Sequence, residues 1–189
     1  MKSIKITSIC SNESLTVESP SNRFIASLYR VSATTAVADE ETRTELDSHA
    51  DTSCGGSNTV LLGPTQQTVK VSAFAPGYGS KEYPIGTVGT VWTDPLSGVS
   101  YLLIIHQAIY LGNELKHSLL NPNQMRANGL QVDECPKQFD ETSTHSNISD
   151  DPKISIPMSL ARVISYFYSR KPTQDDLENL EQIVLTGTA

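Results

Sequence analysis

The prediction of this fold starts from the stretch Glu45-Leu46-Asp47-Ser48-His49-Ala50-Asp51-Thr52. An apolar residue is followed there by a carboxylate and a hydroxyl, and the small Ala50 comes two positions later. Aspartate often ends a strand because its side chain accepts hydrogen bonds from the backbone of the following turn. We therefore expect Asp47 at the end of a strand, either as a turn residue or as a carboxylate that carries chemistry.

The chain on the C-terminal side of this stretch predicts β-structure as far as about residue 133. Short apolar or β-branched runs, some of which alternate with period two, are typical of half-buried strands. These runs are Val60–Leu62, Thr68–Phe74, Thr87–Thr93, Val99–Ile105 and Ala108–Leu111. Turn signals separate them at Gly63-Pro64, where the first run ends, and at Asp94–Gly98, which predicts a hairpin connection. Short strands with turns between them indicate an all-β barrel or sandwich.

One short helix is predicted within this β-region, and the chain before the region has a different composition. The helix lies near Asn121–Asn128 and is closed by Gly129 as its C-terminal cap. Residues 1–41 are rich in Ser, Thr and Glu, which predicts a flexible arm or linker. Within this arm only Ser21–Arg30 is apolar enough to form a short helix or strand.

The chain after the β-region predicts a small α/β extension, residues 134–189. Apolar residues at positions 156, 160, 163, 164 and 167 have helical spacing, with Pro157 in the first turn. A loose capping box at Thr173 predicts a second helix, and Ile183-Val184-Leu185 predicts a terminal strand. The predicted domains are therefore an arm (1–41), a β-domain (42–133) and an extension with one or two helices (134–189).

Composition and charge exclude several classes of function. The 189 residues carry a net charge of −7, and no basic run offers the positive surface that nucleic acids attract. The longest uncharged apolar run, Tyr101–Ile105, is far shorter than the roughly 20 residues of a membrane span, and the first residues lack a signal-peptide pattern. Three widely spaced cysteines, at 10, 54 and 135, match neither a disulfide framework nor structural zinc spacing. We therefore expect an intracellular, cytoplasmic protein without a metal site.

A second block of sequence gives the Asp47 stretch a family context. The block Leu119–Gly129 is an apolar strand end that runs into a short helix closed by Gly. With the Asp47 stretch it resembles the protease region of copia-like retrotransposon Pol polyproteins, whose proteases are retropepsin-like. The resemblance covers roughly residues 40–185. The segments that carry it are Leu46–Thr52, Ala108–Gly112, His117–Arg126, Pro136–Asp140 and Ser169–Thr173.

The resemblance implies an all-β, retropepsin-like acid-protease barrel and a role for each residue of the loop. In that family a strand leads to the catalytic aspartate, and a later strand and helix pack beneath it. Asp47 matches the catalytic aspartate, and Ser48 the hydroxyl that hydrogen-bonds across a dimer. Ala50 matches the residue beside the substrate backbone. Asp51 matches an acidic residue that braces the subunit interface or contacts substrate.

The resemblance also implies a flap. The candidate flap is Ala75–Glu82 with Gly77, Tyr78 and Gly79, a hairpin that closes over substrate and excludes water. Tyr78 fits an exposed loop aromatic equally well.

This sequence departs from the family pattern at two positions, one in the Asp47 loop and one in the predicted helix. His49 stands where the family usually has Gly, and its imidazole either changes the titration of the carboxylates or marks a subgroup with its own geometry. Pro122 stands where retroviral enzymes often carry an Arg that pairs with the acidic residue, which leaves Arg126 as one candidate partner for Asp51.

These residues predict an aspartic endopeptidase that cleaves a peptide or polyprotein substrate with an acidic pH optimum. Each chain supplies one Asp47, so an active enzyme requires a homodimer with its site on the twofold axis. No organic cofactor or metal is required, and the resemblance implies action on a retrotransposon polyprotein in the cytoplasm, including virus-like particles. Two alternatives stay open: an inactive remnant that serves as a dimerisation or binding module, and a spacer within a polyprotein.

Overall fold

The computed structural model describes residues 12–18, 23–29, 42–73, 80–150 and 153–187. The described chain is mostly strand, with two short helices and one 3₁₀ turn at Gly112–Glu114, which confirms the prediction of an all-β protein. The first strands are β1 (Asn12–Glu18), β2 (Arg23–Tyr29), β3 (Arg43–Leu46), β4 (Cys54–Gly55), β5 (Val60–Ala73), β6 (Ser80–Thr93) and β7 (Ser100–Tyr110). The later strands are β8 (Ser118–Leu120), β9 (Gln131–Asp133), β10 (Ser146–Asp150), β11 (Lys153–Pro157), β12 (Ser159–Ala161), β13 (Ile164–Tyr168) and β14 (Gln182–Thr186). The helices are α1 (Pro122–Ala127) and α2 (Gln174–Asn179).

Two sheets organise these strands. The larger has eleven strands in the order β12-β13-β3-β8-β4-β7-β6-β5-β1-β2, and β14 pairs in parallel with β7. The smaller has three strands in the order β11-β10-β9. The strands β5, β6 and β7 follow one another as long antiparallel neighbours.

The predicted connection between β6 and β7 is confirmed. The backbone N–H of Asp94 donates to the carbonyl of Val99 at 2.8 Å, which closes the turn. Gly98 has a φ of 73°, a left-handed conformation that glycine adopts without the steric cost of a side chain. Asp94 also accepts hydrogen bonds from the backbone N–H groups of Leu96 and Ser97. The turn therefore forms from the residue types that predicted it.

The predicted end of a strand at Gly63-Pro64 is wrong. Strand β5 continues through this dipeptide to Ala73, and its register with β6 shifts on either side of it. Gly86 of β6 faces the irregularity, and a Cβ there would lie 2.6 Å from the carbonyl oxygen of Gly63. Gly63 and Pro64 therefore produce an irregularity inside one long strand. The strand continues because Gly86 of the partner strand has no side chain that would collide with it.

The predicted helix over residues 156–167 is also wrong. This segment forms β11, β12 and β13, and β13 pairs with β3. Alternate residues Ile154, Ile156 and Met158 face the core, which is a period of two. The apolar residues of this segment match helical spacing only by chance. The segment forms strands because the backbone of β13 pairs with β3. The predicted helix after Thr173 and the predicted terminal strand are confirmed as α2 and β14.

Segments on both sides of the predicted domain boundaries share the larger sheet. From the C-terminal side, β13 pairs with β3 and β14 pairs with β7. From the N-terminal side, β1 and β2 form a hairpin, and β1 pairs with the far half of β5. The strand option for Ser21–Arg30 therefore holds over Arg23–Tyr29. The boundaries after residues 41 and 133 stay predictions.

A buried polar cluster, which we call the Asn58 cluster, ties several strands together. Asn58 is only 1% exposed, and its Nδ2 donates to the hydroxyl of Ser169 at 2.7 Å and to the carbonyl of Arg43 at 3.1 Å. The hydroxyl of Ser118 donates to Asn58 Oδ1 at 2.6 Å. The hydroxyl of Thr90 donates to the carbonyl of Asn58 at 2.8 Å. Buried polar groups are costly unless paired, so this cluster fixes β3, β6 and β8 relative to one another.

A charge pair attaches α2 to the end of β13. Arg170 donates to both carboxylate oxygens of Asp176, at 2.6 Å and 2.8 Å. The same carboxylate accepts hydrogen bonds from the backbone N–H and the hydroxyl of Thr173, completing a capping box. Its pKa is therefore held well below the usual range, first by Arg170 and next by the Thr173 backbone.

Replacing Asp176 with Asn is expected to lower the free energy of unfolding at pH 7 by about 2 kcal/mol. The depressed pKa means that the charged form stabilises the fold above the unfolded-state pKa of about 3.9, and that this contribution is lost as the pH falls through the folded-state value. Urea denaturation should therefore separate wild type and variant at pH 7, and the gap should shrink towards pH 2. The exposed neighbour variant Asp175→Asn is the control, and an equal loss in both would contradict the prediction.

Candidate functional site

Asp47 lies in a loop between β3 and β4, directly after the last residue of β3, as the sequence predicts. Strand β8 runs between these two strands, parallel to β3 and antiparallel to β4. The backbone N–H of Asp47 donates to the carbonyl of Leu120 at 3.1 Å. The loop that carries the carboxylate is therefore fixed at its first residue by the last residue of β8.

The N-terminus of α1 holds the middle of the same loop. Asn121 caps the helix, because its Oδ1 accepts from the backbone N–H groups of Asn123 and Gln124 at 2.7 and 2.9 Å. Its Nδ2 donates to the carbonyl of Ala50 in the loop. One side chain thus satisfies orphan donors of the helix and binds the backbone three residues beyond Asp47.

The end of the loop is bound by Gln124 on the first turn of α1. Its Oε1 accepts from the backbone N–H of Ser53 at 2.8 Å and from the Ser53 hydroxyl at 2.7 Å. Its Nε2 donates to the hydroxyl of Thr52 at 3.2 Å, and that hydroxyl donates to the carbonyl of Gln107 in β7. The start, middle and end of the loop are therefore all held by β8 and α1, which leaves Asp47 in a fixed position.

The sequence reasoning missed Asn121, Gln124 and Ser53 as parts of this site. The pair Asn121-Pro122 is a recognisable helix start, since Asn is a favoured cap and Pro suits the first helical position. That signal finds the cap but not its bond to Ala50. Gln124 carries no signal, because a glutamine on a short helix is most often a solvated surface residue.

The electrostatics of Asp47 favour its protonated form. Burial raises the pKa of the Asp47 carboxyl above its usual value. The hydrogen bond from the backbone N–H of His49 to Asp47 Oδ1, at 2.9 Å, and the charge of His49 oppose that shift, while the charge of Glu45 adds to it. A carboxyl with a raised pKa exchanges a proton at a less acidic pH than an exposed aspartate, which suits general acid–base chemistry.

The other residues of the predicted site divide into exposed and buried. Ser48, His49 and Asp51 are exposed, whereas Ala50 is buried and packs with Cys54 and neighbouring apolar residues. Burial raises the pKa of the Cys54 thiol to about 12, so this cysteine is a neutral packing residue.

Arg126, one candidate partner for Asp51, donates to Glu134 Oε1 and to the carbonyl of Val132, both at 3.1 Å. The pairing of Asp51 with Arg126 stays a prediction. Pro122 occupies the first helical position of α1.

The hairpin β5–β6 lies over the loop. Val69 and Val71 of β5 are buried in the cluster that contains Ala50 and Leu119. On β6, Lys81 Nζ and the hydroxyl of Tyr83 both donate to Glu114 Oε2, at 2.8 and 2.7 Å. Burial and Glu114 together raise the pKa of Tyr83 to about 12.

The predicted flap residues Gly77, Tyr78 and Gly79 lie outside the described residues, between Ala73, the last residue of β5, and Ser80, the first residue of β6. Their predicted role as a flap over the substrate stays a prediction.

Charged and aromatic side chains line β3 and β13 beside Asp47. Glu45 and Arg43 alternate with core residues along β3, and Arg43 Nη2 lies 2.6 Å from Glu45 Oε1. The Arg43 guanidinium also stacks 4.5 Å from the ring centre of Tyr166, which is paired with Glu45 in register. Strand β13 therefore supports the strand that carries Asp47.

The described ranges contain neither a metal-binding cluster nor a membrane-spanning helix. Among the described ranges, no three His, Cys, Asp or Glu side chains come close enough to hold a metal ion. None of the helices in those ranges is long and apolar enough to cross a membrane. Burial lowers the pKa of His117, directly before β8, to about 4. His106, within β7, hydrogen-bonds the hydroxyl of Thr87 at 2.8 Å.

Comparison with known proteins gives no family for this chain. No protein-family model, no curated protein and no solved structure matches its sequence or its fold.

Proposed function

We propose that this protein is an aspartic endopeptidase with a retropepsin-like fold, active as a homodimer in which two Asp47 carboxylates share one site. The single observation that carries the proposal is the fixation of the Asp47 loop by β8 and α1. The resemblance in the sequence implies this arrangement, a strand leading to the aspartate with a later strand and helix beneath it.

The exposure pattern of the loop also supports the proposal. The hydroxyl of Ser48 is exposed beside the half-buried Asp47, where it is available to a second copy of the loop. His49 is exposed as well, so the packed interior does not have to accommodate its imidazole at the position where the family usually has Gly. The hairpin β5–β6 buries Val69 and Val71 against Ala50 of the same loop, which excludes water from that side of Ala50.

The chemistry requires both Asp47 side chains in different protonation states. Two carboxylates about 3 Å apart cannot both ionise, so the pair holds one proton. The ionised carboxylate removes a proton from water as the water oxygen bonds to the substrate carbonyl carbon, and the protonated carboxyl gives its proton to the carbonyl oxygen. The tetrahedral diol then breaks its C–N bond: the leaving nitrogen takes the proton of one carboxyl, and the other carboxylate takes a proton from a diol hydroxyl, which yields a carboxylic acid and an amine and restores the one shared proton. The raised pKa of Asp47 favours the shared-proton state.

Cleavage of a mixed peptide library between about pH 4 and 7 tests this function. We expect a bell-shaped profile, because activity is lost when both carboxylates are protonated at low pH and when both are ionised at high pH. A statine-type mimic of the tetrahedral species should abolish cleavage. A folded dimer that cleaves nothing across this range would instead support the alternative of an inactive dimerisation module. Cleavage that resists the mimic would indicate another kind of protease.

A further inference from the structure

An ion pair lies on β3 directly before Asp47. Arg43 donates to Glu45 Oε1 from Nε at 2.7 Å and from Nη2 at 2.6 Å. The two residues alternate with buried residues along β3, so they share one face of the strand. The backbone N–H of Asp47 donates to the carbonyl of Leu120, which extends the pairing of β3 with β8 by one residue. Asp47 therefore continues the alternation and lies on the same face as the ion pair.

The ion pair is fixed and partly buried. The side chain of Glu45 is 13% exposed and that of Arg43 is 25% exposed. The Arg43 guanidinium also stacks 4.5 Å from the ring centre of Tyr166 on β13, the residue that pairs with Glu45. Charges that are partly buried are screened less by solvent and salt than exposed charges are. The carboxylate of Glu45 is therefore held close to Asp47 in a position where its charge keeps its influence.

The two members of the pair act on Asp47 with opposite signs. A nearby negative charge favours the protonated form of a carboxyl, and a nearby positive charge favours the ionised form. Burial first, and then the charge of Glu45, raise the pKa of the Asp47 carboxyl. Because Arg43 binds an oxygen of Glu45 directly, its positive charge offsets part of that effect. The balance between the two charges thus reaches Asp47 along one strand.

The other titratable side chains of the loop and of β4 lack this combination of burial and fixation. His49 opposes the rise in the pKa of Asp47, but His49 is exposed, so salt screens its charge. Asp51 is exposed as well. Burial raises the pKa of the Cys54 thiol to about 12, so Cys54 carries no charge at neutral pH.

Charged groups on the elements packed against the loop are engaged elsewhere. Arg126 of α1 has its ion-pair partner beyond the end of the helix. On β6, Lys81 and Tyr83 both bind Glu114. On β5, Lys70 alternates with the residues that pack against the loop and is exposed. Strand β8 contributes no charged side chain. The ion pair on β3 is therefore the charged feature that the fold couples to Asp47.

We propose that the Arg43–Glu45 pair sets the protonation state of Asp47: Glu45 favours the protonated carboxyl, and Arg43 limits this effect by neutralising Glu45. This inference rests on the proposed function, because it concerns the proton that two Asp47 carboxylates share. Both members of the pair act through Asp47, so they are positioning residues for that proton. The pair thereby determines where the pH profile of peptide cleavage lies.

Carbon-13 NMR of the Asp47 carboxyl, followed over pH in the full chain, tests the inference. Asp47→Asn identifies the signal. Glu45→Gln removes a negative charge and should lower the apparent pKa of Asp47, whereas Arg43→Gln leaves Glu45 uncompensated and should raise it. Each variant should change the proton affinity of Asp47 about twofold or more, because two unit charges about 7 Å apart interact by roughly RT even in water. The pH profile of peptide cleavage should move in the same two directions.

Two further variants separate an effect of charge from an effect on the fold. Arg43→Lys keeps the positive charge but loses the fork of donors and the flat stacking on Tyr166. It should therefore lower stability while Asp47 titrates as in the wild type. Glu134→Gln is the matched control, because it removes the same charge from an ion pair with Arg126 in the last turn of α1. Circular dichroism and thermal unfolding show whether each variant is folded across the titration.

The possible outcomes distinguish this inference from the proposed function. Opposite shifts of the Asp47 titration in Glu45→Gln and Arg43→Gln support the inference. An unchanged titration in both variants, shifts in the same direction, or an equal shift in Glu134→Gln would overturn it. Opposite shifts in a protein that never cleaves peptide would support the charge coupling and overturn only the protease. Cleavage that Asp47→Asn abolishes, with a pH profile that the pair variants do not move, would leave the protease standing and overturn the inference.

Discussion

Asp47→Asn is expected to lower kcat for peptide cleavage by about 10³-fold or more. The substitution keeps the size of the side chain and the acceptor atom that binds the backbone N–H of His49. It removes the carboxylate that takes and returns the proton. Because each subunit supplies one Asp47, both halves of the site are lost together, and no second aspartate on the same chain can compensate in the proposed mechanism.

The variant should fold at least as well as the wild type. Burial raises the pKa of Asp47 in the folded chain, so the ionised form opposes folding at neutral pH. Removing the charge should therefore slightly raise the free energy of unfolding at pH 7, which urea denaturation can measure. Asp175→Asn makes the same chemical change at an exposed site on α2 and should keep full activity. Equal cleavage by Asp47→Asn and wild type would show that the activity belongs to another site.

Asn58→Ala is expected to lower the free energy of unfolding by about 3 kcal/mol. The side chain is buried and binds partners on β3 and β8, including Ser118, and at Ser169, directly after β13. Truncation leaves their hydroxyls and the carbonyl of Arg43 without this partner in a dry interior. Each orphaned buried group costs about 1–3 kcal/mol, partly offset by relaxation of the hydroxyls towards one another.

Urea denaturation of Asn58→Ala against Asn113→Ala measures this effect. Asn113 is exposed in the 3₁₀ turn, so its truncation should change stability by no more than about 0.5 kcal/mol. A loss below about 1 kcal/mol at Asn58 would mean that water or repacking replaces the cluster. The cluster also fixes β3 relative to β8, and both hold the start of the Asp47 loop, so peptide cleavage by Asn58→Ala should fall even below its unfolding transition.

The parts of the fold that follow local rules were predictable. The connection at Asp94–Gly98, the helix before Gly129 and the capping box at Thr173 each depend on a few neighbouring residues, and each is confirmed. The position of Asp47 at a strand end is local in the same sense. These features form wherever the chain places the right side chains at the right backbone angles.

The parts that depend on distant partners were not predictable. Apolar residues within 156–167 fit a helix. A helix there would have left backbone groups of β3 unpaired, whereas β13 satisfies them. Gly63-Pro64 is a turn signal, yet Gly86 across the hairpin lets the strand continue. The hydrogen bonds between Gln124 and Ser53 and between Asn58 and Ser169 join residues 71 and 111 positions apart. No local sequence pattern predicts either contact.

The pairing of β3 with β13 has a consequence for the newly made chain. Thr44 and Ser169, which hydrogen-bond across this pair, are 125 residues apart. At ordinary rates of translation the ribosome needs about 6 to 25 seconds to add that many residues. During this interval β3, the strand that leads to Asp47, lacks β13 as its second neighbour. In the proposed enzyme, a nascent chain would therefore be unable to complete its catalytic site before the C-terminal strands are made.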